Sequence, residues 1–345
     1  LLHITEKLMT DQIEIQNLLA ALEDELHASI ESQHEPELVQ YFSMLAYHLG
    51  WEGEGAGPEA RGKRIRPLLV LLTCSAAGGK WPNALPAAAA VELVHNFSLI
   101  HDDIQDNSPL RRGRETVWKR WGIAQAINAG DAMLTSAHLT LLRMENTSSP
   151  QGTLKAALTL QQACLRLTKG QYLDLAFESQ GTLTIEAYWQ MVGGKTAALL
   201  GACTELGAIA ADCSGSRRQA FRDFGYYLGL AFQAQDDILG IWGDAATTGK
   251  SNESDLLAGK KSLPVIYGMQ QNGPFANRWK TGSILPSETE ALAQQLEAEG
   301  ARQLTQDAAA QMTSKALEAL DQAKPQGEAS KALDDLANRL LGRAV

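Results

Sequence analysis

Residues 91–106 read VELVHNFSLIHDDIQD, an apolar run that ends in three aspartates. The apolar positions recur with helical spacing and without strand-like alternation, so this stretch predicts one continuous helix. Asp102 and Asp106 are four residues apart and therefore lie on the same face of that helix. Asp103 is turned from Asp102 by about 100°. Because a carboxylate in an apolar segment is costly to strip of water, these side chains indicate a cationic partner.

A second pair of aspartates occurs in a similar setting. Residues 233–240 read QAQDDILG and lie within a predicted helix, 216–242. Counted from Asp236, the fifth position of this cluster is Gly240, whereas the fifth position counted from Asp102 in the first cluster is Asp106. Carboxylate oxygens suit Mg²⁺, which keeps several waters and commonly bridges to phosphate groups. The two clusters therefore predict a magnesium site for an anionic ligand, and solvated acidic helix ends are the alternative.

Three basic segments could bind such an anion. Residues 61–67 read RGKRIRP, and Gly62 within them permits a close approach to the backbone. Arg111 and Arg112 follow the first acidic cluster. Residues 193–196 read GGKT, where the glycine pair predicts a break between two helices that frees N–H groups beside a lysine. Lysine and arginine both suit phosphate. Taken alone, residues 61–67 are about as well explained by a solvated basic turn, and residues 193–196 by a helix interruption without a ligand.

The composition excludes several classes of protein. The chain has 345 residues, 45% of them hydrophobic, and a net charge of −10, which argues against nucleic acid and anionic membranes as partners. Abundant Ala and Leu favour an all-α protein. Four cysteines without C-x-x-C spacing indicate a reduced compartment, so we expect a cytoplasmic location. No run of 18 apolar residues predicts a transmembrane segment, and a targeting segment removed before Leu1 is left open.

The pattern along the chain predicts helices joined by short polar breaks, in one helical domain over residues 1–345. The motif-bearing core is residues 60–270, between N-terminal helices of unassigned role within residues 1–50 and C-terminal helices within 271–345. The predicted helices are 10–32, 36–49, 63–77, 83–106, 122–144, 153–178, 185–192, 195–211 and 216–242, with three or four more after residue 262.

These motifs resemble those of the trans-isoprenyl diphosphate synthase family (polyprenyl synthetases) over about residues 60–270. They occur in order: G-K-R-x-R-P, E-L-V-H at 92–95, H-D-D-I-x-D with R-R-G, G-K-T at 194–196, F-Q-x-x-D-D at 232–237, then T-G-K, S-D-L and K-K-S-L-P. The resemblance implies the isoprenoid synthase fold, a single large helical bundle around a deep central cavity, usually as a homodimer. It also implies condensation of isopentenyl diphosphate with an allylic diphosphate. Arg61 and Gly240 depart from the family pattern, which usually has Gly and Asp there.

The resemblance also implies a role for each matching residue. Three Mg²⁺ ions are expected, two on Asp102 and Asp106 and one on Asp236, with Asp103 and Asp237 as secondary ligands or supports. Isopentenyl diphosphate would be bound by Lys63, Arg66, His95 and Arg112. The allylic diphosphate would be bound by Arg111, Lys195, Thr196, Gln233, Lys250 and Lys260. Of these, Lys195, Thr196 and Gln233 would be catalytic, because a hydroxyl or amide dipole can stabilise a carbocation.

Product length is expected to depend on residues just before the first cluster. Phe97 and Ser98 lie about 6–7.5 Å before Asp102 along the helix, where a bulky ring can form the floor of a product tunnel. An aromatic residue there, and the absence of a two-residue insertion in the cluster, resemble enzymes that make the C20 product geranylgeranyl diphosphate. Farnesyl diphosphate is the competing product, and a plain core role is the alternative for Phe97.

Two further functions are compatible with the same scaffold. A terpene cyclase would ionise a prenyl diphosphate without adding isopentenyl diphosphate, but the complete set of residues for that second substrate argues against it. A non-catalytic regulatory subunit would be expected to lose aspartates of the first cluster, and this chain retains all three.

Overall fold

The computed structural model describes residues 2–243 and 254–341, and its regular structure is almost entirely helical, as predicted. The helices before the second acidic cluster are α1 (Leu2–Glu31), α2 (Val39–His48), α3 (Pro58–Arg61), α4 (Ile65–Ala76), α5 (Leu85–Gln105), α6 (Val117–Trp121), α7 (Ile123–Leu142), α8 (Pro150–Glu178), α9 (Ile185–Val192) and α10 (Ala198–Ala210). The remainder are α11 (Gly215–Trp242), α12 (Ser254–Leu257), α13 (Leu263–Gln271), α14 (Pro274–Trp279), α15 (Thr289–Ala298), α16 (Ala301–Ala323) and α17 (Gly327–Leu341). Two short strands, β1 (Leu110–Arg111) and β2 (Arg114–Glu115), pair antiparallel.

The chain divides into two compact units that interleave along the sequence. The first unit comprises Leu1–Leu160, Cys203–Gly215 and Pro325–Ala332, and the second comprises Gln161–Ala202, Ser216–Lys324 and Leu333–Val345. The first unit contains the first acidic cluster and two of the basic segments, whereas the second contains residues 193–196 and the second acidic cluster. The expectation of a single domain stays a prediction.

Helix α5 is the centre of the first unit and packs against α1, α4 and α7. Residues 87–91 along it are Ala-Ala-Ala-Ala-Val and are all fully buried, because small side chains let the neighbouring helices approach closely. Near its other end, a Cβ at Gly130 of α7 would collide with the His101 ring, so glycine is needed at that contact. This packing fixes the helix whose last turn carries the first acidic cluster.

The second unit has a core around α9, α11 and α13, in which Tyr188 and Leu263 are almost completely buried. After residue 262 the described chain forms five helices rather than the predicted three or four. The additional boundaries arise at Asn272 and Gly300, which both adopt positive φ and so end a helical run. Within the described residues, no helix is both long and apolar enough to cross a bilayer.

Candidate active site

The first acidic cluster occupies the last turn of α5, where the three aspartates differ in burial. Asp103 is 2% exposed, and its carboxylate accepts hydrogen bonds from Arg111 Nε at 2.9 and 3.0 Å, with Arg111 Nη2 at 2.7 Å. Burial raises the pKa of Asp103, and the Arg111 guanidinium opposes that rise. Asp102 is half-buried and Asp106 is exposed. The cluster therefore has one inward carboxylate, bound to the protein, and two nearer the surface.

The side chains of Arg111 and Arg112 point to different partners, because Arg111 ends strand β1 and Arg112 begins the tight turn that follows it. The two residues between β1 and β2 are Arg112 and Gly113, and both have positive φ, as in a type I′ turn. Arg111 contacts Asp103, whereas Arg112 Nη1 donates to the Ala60 carbonyl at 2.7 Å. The hairpin is absent from the sequence interpretation, because an arginine at positive φ is uncommon.

Gly62 is required by the side chain of Arg112. It has a φ of 77°, and a Cβ there would lie 2.6 Å from Arg112 Nη2. The predicted close approach to this glycine is therefore observed, and the approaching group is a guanidinium of the chain itself. Glycine at 62 lets Arg112 lie across residues 60–62, so that the two basic segments meet.

Three of the four cations in residues 61–67 have clearly different surroundings. Arg64 is 5% exposed and binds Glu23 at 2.8 Å and Glu92 at 2.6 Å, which joins it to α1 and α5. Lys63 is exposed, and Arg66 Nη1 lies 3.1 Å from His95 Nε2. Only part of this basic segment can bind a ligand, because Arg64 is committed to the core.

His95 is neutral in this environment. Burial, followed by the charges of Arg66, Arg112 and Arg111, holds the pKa of His95 well below its ordinary value. A guanidinium only donates hydrogen bonds, so His95 Nε2 accepts from Arg66 and the ring proton is assigned to Nδ1. The first unit thus brings Arg66, His95 and Arg112 into one basic cluster, as expected for an anion site.

Arg114 fastens the glycine-rich loop that precedes the basic segment. Its guanidinium donates to the backbone carbonyls of Tyr47 at 2.7 Å, Glu52 at 2.7 Å and Glu54 at 2.9 Å. It also lies 3.9 Å from the centre of the Tyr47 ring, within cation–π range. Sequence reasoning missed this residue, since its partners are more than 50 residues away.

The second acidic cluster repeats the pattern of the first. Asp237 is 1% exposed and accepts hydrogen bonds from the Tyr188 hydroxyl at 2.7 Å, the Leu263 N–H at 2.8 Å and Gln233 Nε2 at 3.0 Å. Asp236 is exposed. Burial, and then the charge of Asp237, raise the pKa of Tyr188 well above its ordinary value, so this hydroxyl keeps its proton and donates.

The predicted catalytic residues Thr196 and Gln233 form a chain of hydrogen bonds with Asp237. Thr196 Oγ1 lies 3.0 Å from Gln233 Oε1 and donates to it, and Gln233 Nε2 in turn donates to Asp237. Lys195 forms an ion pair with Asp174. Asp237 thereby orients the amide that receives the threonine hydrogen, which gives this buried aspartate a positioning role.

The predicted helix break at Gly193-Gly194 is wrong. Residues Gly193–Ala197 form a π-helical segment, so the chain stays helical from α9 into α10. Glycine is needed here for close packing against α8. A Cβ at Gly194 would lie 2.7 Å from the Arg166 carbonyl oxygen of α8, and a Cβ at Gly170 of α8 would overlap the Lys195 backbone nitrogen. π-Helical turns are frequent at functional sites, and this one presents Lys195 and Thr196.

Lys260 lies beside the second cluster, 3.4 Å from Asp255 Oδ2 and 3.9 Å from Asp237 Oδ1. Burial alone would lower the pKa of Lys260, but Asp237, Asp255 and Asp236 outweigh it and raise that pKa, so the lysine is charged. Lys250, the other predicted lysine, lies outside the described residues.

Asp255 occupies the space beside Gly240. A Cβ at residue 240 would collide with the Asp255 carboxylate. Burial raises the pKa of Asp255, Lys260 opposes this rise, and Asp237 and Asp236 add to it. The acidic charge at the fifth position of the second cluster therefore comes from a residue 15 positions further along the chain.

Replacing Gly240 with Asp is expected to destabilise the protein. The new side chain would displace Asp255 and bring two carboxylates together, so overpacking would cost about 1–3 kcal/mol. The measurement is the thermal denaturation midpoint with and without Mg²⁺, using Gly240→Ala to isolate the steric effect. The double variant Gly240→Asp/Asp255→Gly should recover stability, and a wild-type midpoint for Gly240→Asp alone would contradict this placement.

The two residues proposed as a chain-length floor are buried in α5. Phe97 is 6% exposed, and its ring meets the His101 ring edge to face, with centroids 4.9 Å apart. Ser98 is 8% exposed, and its hydroxyl donates to the His95 carbonyl at 2.8 Å. Phe97 is therefore the bulky residue of the pair, and Ser98 is turned back onto its own helix.

The acidic residues fit Mg²⁺ in the chemistry of their oxygens. Within residues 2–243 and 254–341, no three His, Cys, Asp or Glu side chains converge on one point. Each cluster offers aspartates near the surface: Asp102 and Asp106 in the first unit and Asp236 in the second. Mg²⁺ commonly takes one or two protein carboxylates and completes its octahedron with water and substrate phosphate oxygens. These residues therefore suit a magnesium ion bound together with a diphosphate.

Comparison with known proteins agrees with this geometry. The family model for polyprenyl synthetase matches residues 57–297. The chain is 40% identical over 311 residues to the (2E,6E)-farnesyl diphosphate synthase of Mycobacterium tuberculosis, covering 87% of this chain and 85% of that protein. It is 42% identical over 254 residues to the geranylgeranyl diphosphate synthase of the same organism, covering 73% and 70%. A polyprenyl synthetase structure from Streptomyces coelicolor aligns with a TM-score of 0.85 at 34% identity, covering 94% of this chain and 98% of that one.

Proposed function

Because the chain belongs to the polyprenyl synthetase family, we propose that it condenses isopentenyl diphosphate with an allylic diphosphate to form a short-chain all-trans prenyl diphosphate. The observation that supports this most directly is the shared layout of the two acidic clusters. In each cluster the second aspartate is buried and bound internally, and the first lies nearer the surface. With this layout each cluster presents its first aspartate towards the surface, where it can bind a cation. The basic cluster of the first unit can bind an anion.

The proposed reaction breaks the allylic C–O bond, forms a C–C bond, and then breaks a C–H bond whose electrons form the double bond of the product. The allylic carbon separates from its diphosphate, the double bond of isopentenyl diphosphate attacks the resulting cation, and a proton passes to the departing diphosphate. Lys63, Arg66, His95 and Arg112 hold isopentenyl diphosphate, while Arg111, Lys195, Lys250 and Lys260 hold the allylic diphosphate. Thr196 and Gln233 present oxygen dipoles oriented by Asp237, which stabilise positive charge.

We propose that Asp102, Asp106 and Asp236 hold three Mg²⁺ ions, with Asp103 and Asp237 as supports. When bound, these ions would neutralise the diphosphate as its charge develops. The burial of Asp103 and Asp237, and their bonds to Arg111 and to Tyr188 and Gln233, favour the supporting role for both residues.

For product length we propose geranylgeranyl diphosphate, with farnesyl diphosphate as the competing product, because the relatives include synthases of both. The support is Phe97, a buried ring one turn before Asp102. Phe97→Ala is expected to give longer products, because it removes the floor of the tunnel. Product chromatography measures this, with Ser98→Ala as the matched control, and an unchanged product length for Phe97→Ala would rule out the floor assignment.

We further propose a homodimer that uses α7. Four large apolar side chains of this helix are about half exposed: Ile123 at 52%, Ile127 at 42%, Leu139 at 51% and Leu142 at 48%. Within each pair the spacing is four or three residues, so its members share a helix face. Exposed apolar patches of this kind mark protein interfaces. Light scattering should give twice the mass of one chain, and a monomer at micromolar concentration would contradict the proposal.

The experiment that tests the function is one incubation with Mg²⁺, isopentenyl diphosphate and each allylic diphosphate in turn. Consumption of both substrates, with a longer prenyl diphosphate as product, is the expected result. Hydrocarbon formed from the allylic substrate alone would show a terpene cyclase. The absence of turnover with every primer would point to a regulatory subunit.

A further inference from the structure

His48 is a partly buried histidine to which the reaction described above gives no role. It is the last residue of α2, and within the described part of the chain its buried Nε2 atom has no hydrogen-bond partner. A buried polar nitrogen without a partner costs about 1–3 kcal/mol. Such a group calls for an explanation, and an oxygen-bearing ligand is one.

His48 lines a pocket whose wall has a net positive charge. The charged lining residues are Arg111, Arg112 and Arg114, all from the hairpin region, and the carboxylates of Asp103 and Glu115. Arg111 is matched by Asp103, and Arg114 is turned to three backbone carbonyls that carry no net charge. Arg112 donates to the Ala60 carbonyl, which is also uncharged. With three arginines against two carboxylates, the wall keeps one positive charge in excess, which favours an anion over a metal cation.

The protonation state of His48 suits a hydrogen bond to an anion. Burial, followed by Arg111, Arg112, Arg114 and Arg64, lowers the pKa of His48 to about 3, so the ring is neutral. A neutral imidazole carries one N–H, which can be on Nε2. The charge of His48 also contributes, less than the arginines do, to the lowered pKa of His95 in the basic cluster.

We propose that His48 Nε2–H donates a hydrogen bond to the diphosphate group of isopentenyl diphosphate, beside Arg112. The proposal rests on the function proposed above, which assigns Arg112 to that diphosphate. His48 is then a substrate-binding residue that adds a neutral donor to a site otherwise built from cations. Its own segment, the end of α2, is joined to the hairpin by Arg114 and by the Tyr47 hydroxyl, which donates to the Glu115 carbonyl at 2.9 Å.

The test compares His48→Phe, which keeps a ring but removes the N–H, with His48→Gln, which keeps an N–H at a similar reach. For His48→Phe we expect the KM for isopentenyl diphosphate to rise about 10-fold or more, as for a lost hydrogen bond to a charged group. The KM for the allylic substrate should stay unchanged, and His48→Gln should recover much of the affinity. His138→Phe, at another partly buried histidine of the first unit, is the matched control.

Calorimetric binding of inorganic pyrophosphate separates this proposal from the proposed function. If the wild-type protein shows no turnover but binds pyrophosphate more tightly than His48→Phe does, the pocket is a diphosphate site and only the reaction is wrong. An unchanged KM for isopentenyl diphosphate in an active His48→Phe enzyme would overturn the proposal. So would equal losses in His48→Phe and His48→Gln with a lowered thermal midpoint, because these would show a packing role.

Discussion

Arg64→Met is expected to lower the free energy of unfolding by about 3–5 kcal/mol, the usual cost of removing one partner from a buried ion pair. The Arg64 side chain is 3% exposed and that of Glu92 is 4% exposed, with 2.6 Å between Arg64 Nη1 and Glu92 Oε1. Arg64 Nε also binds Glu23. Burial raises the pKa of Glu23, but the hydrogen bonds from Arg64 and Trp51 and the charges of Arg64 and Arg61 together hold it below its ordinary value. Without the guanidinium, Glu92 keeps only the Asn96 amide as a side-chain partner among the contacts described.

The midpoint of chemical denaturation measures this loss, and two variants make the test specific. Lys63→Met, at the exposed neighbour, should change stability by no more than about 0.5 kcal/mol. Adding Glu92→Gln to Arg64→Met removes the stranded charge and should restore part of the stability, as expected of residues in contact. Equal effects of Arg64→Met and Lys63→Met would contradict the assignment of Arg64 to the core.

Substitutions at the two aspartates of the second cluster are expected to differ in effect: one lowers stability and the other lowers activity. Asp237→Ala removes the acceptor of three hydrogen bonds, two of them from the buried Tyr188 and Leu263. Each stranded donor costs about 1–3 kcal/mol, so we expect a loss of at least about 3 kcal/mol. Asp236→Ala is the matched control on the adjacent residue, which is exposed. It should change stability by less than about 0.5 kcal/mol yet lower kcat by about 100-fold or more.

Two measurements on each variant decide this prediction: the thermal midpoint, and kcat at saturating Mg²⁺. The increase in midpoint caused by Mg²⁺ with pyrophosphate should be lost in Asp236→Ala, since that side chain is proposed to bind the metal. If Asp237→Ala were as stable as the wild type, or if Asp236→Ala were the less stable of the two, the inward and outward assignments would be wrong.

Several features of this protein follow from local sequence alone. The spacing of apolar residues predicted most of the longer helices before residue 243 closely, including α5 and α11, because helical periodicity depends on neighbours three and four residues away. The short helices α3 and α6 were not predicted, and α1 begins at Leu2 and not at residue 10. The order of motifs indicated the family, which the family model and the relatives confirm. The roles assigned to individual site residues stay predictions, and Asp236→Ala tests one of the three proposed metal ligands.

The errors occurred where a residue's partner is distant in the chain. The glycine pair at 193–194 was interpreted as a break, but Gly194 packs against the Arg166 carbonyl of α8, and only that neighbour explains it. The Arg112-Gly113 turn was missed, because its strands are two residues long and have no periodicity to detect. The three or four predicted C-terminal helices became five, since short turns such as the one at Asn272 divide an otherwise continuous amphipathic pattern.

The amino-acid sequence by itself determined the all-helical class and placed a pair of aspartates near the end of each of two long helices. Helical spacing could not decide which aspartate of each pair faces inward, because it distinguishes faces but does not say what covers them. Only the family resemblance implied that Asp103 and Asp237 are inner supports or secondary ligands. Tertiary structure decided this through Arg111 for Asp103, and through Tyr188 and the Leu263 backbone for Asp237. It also put Asp255 beside Gly240 and buried Arg64 while leaving Lys63 exposed. Desolvation and hydrogen bonding act on the partners that folding brings together, and those partners are far apart in the chain.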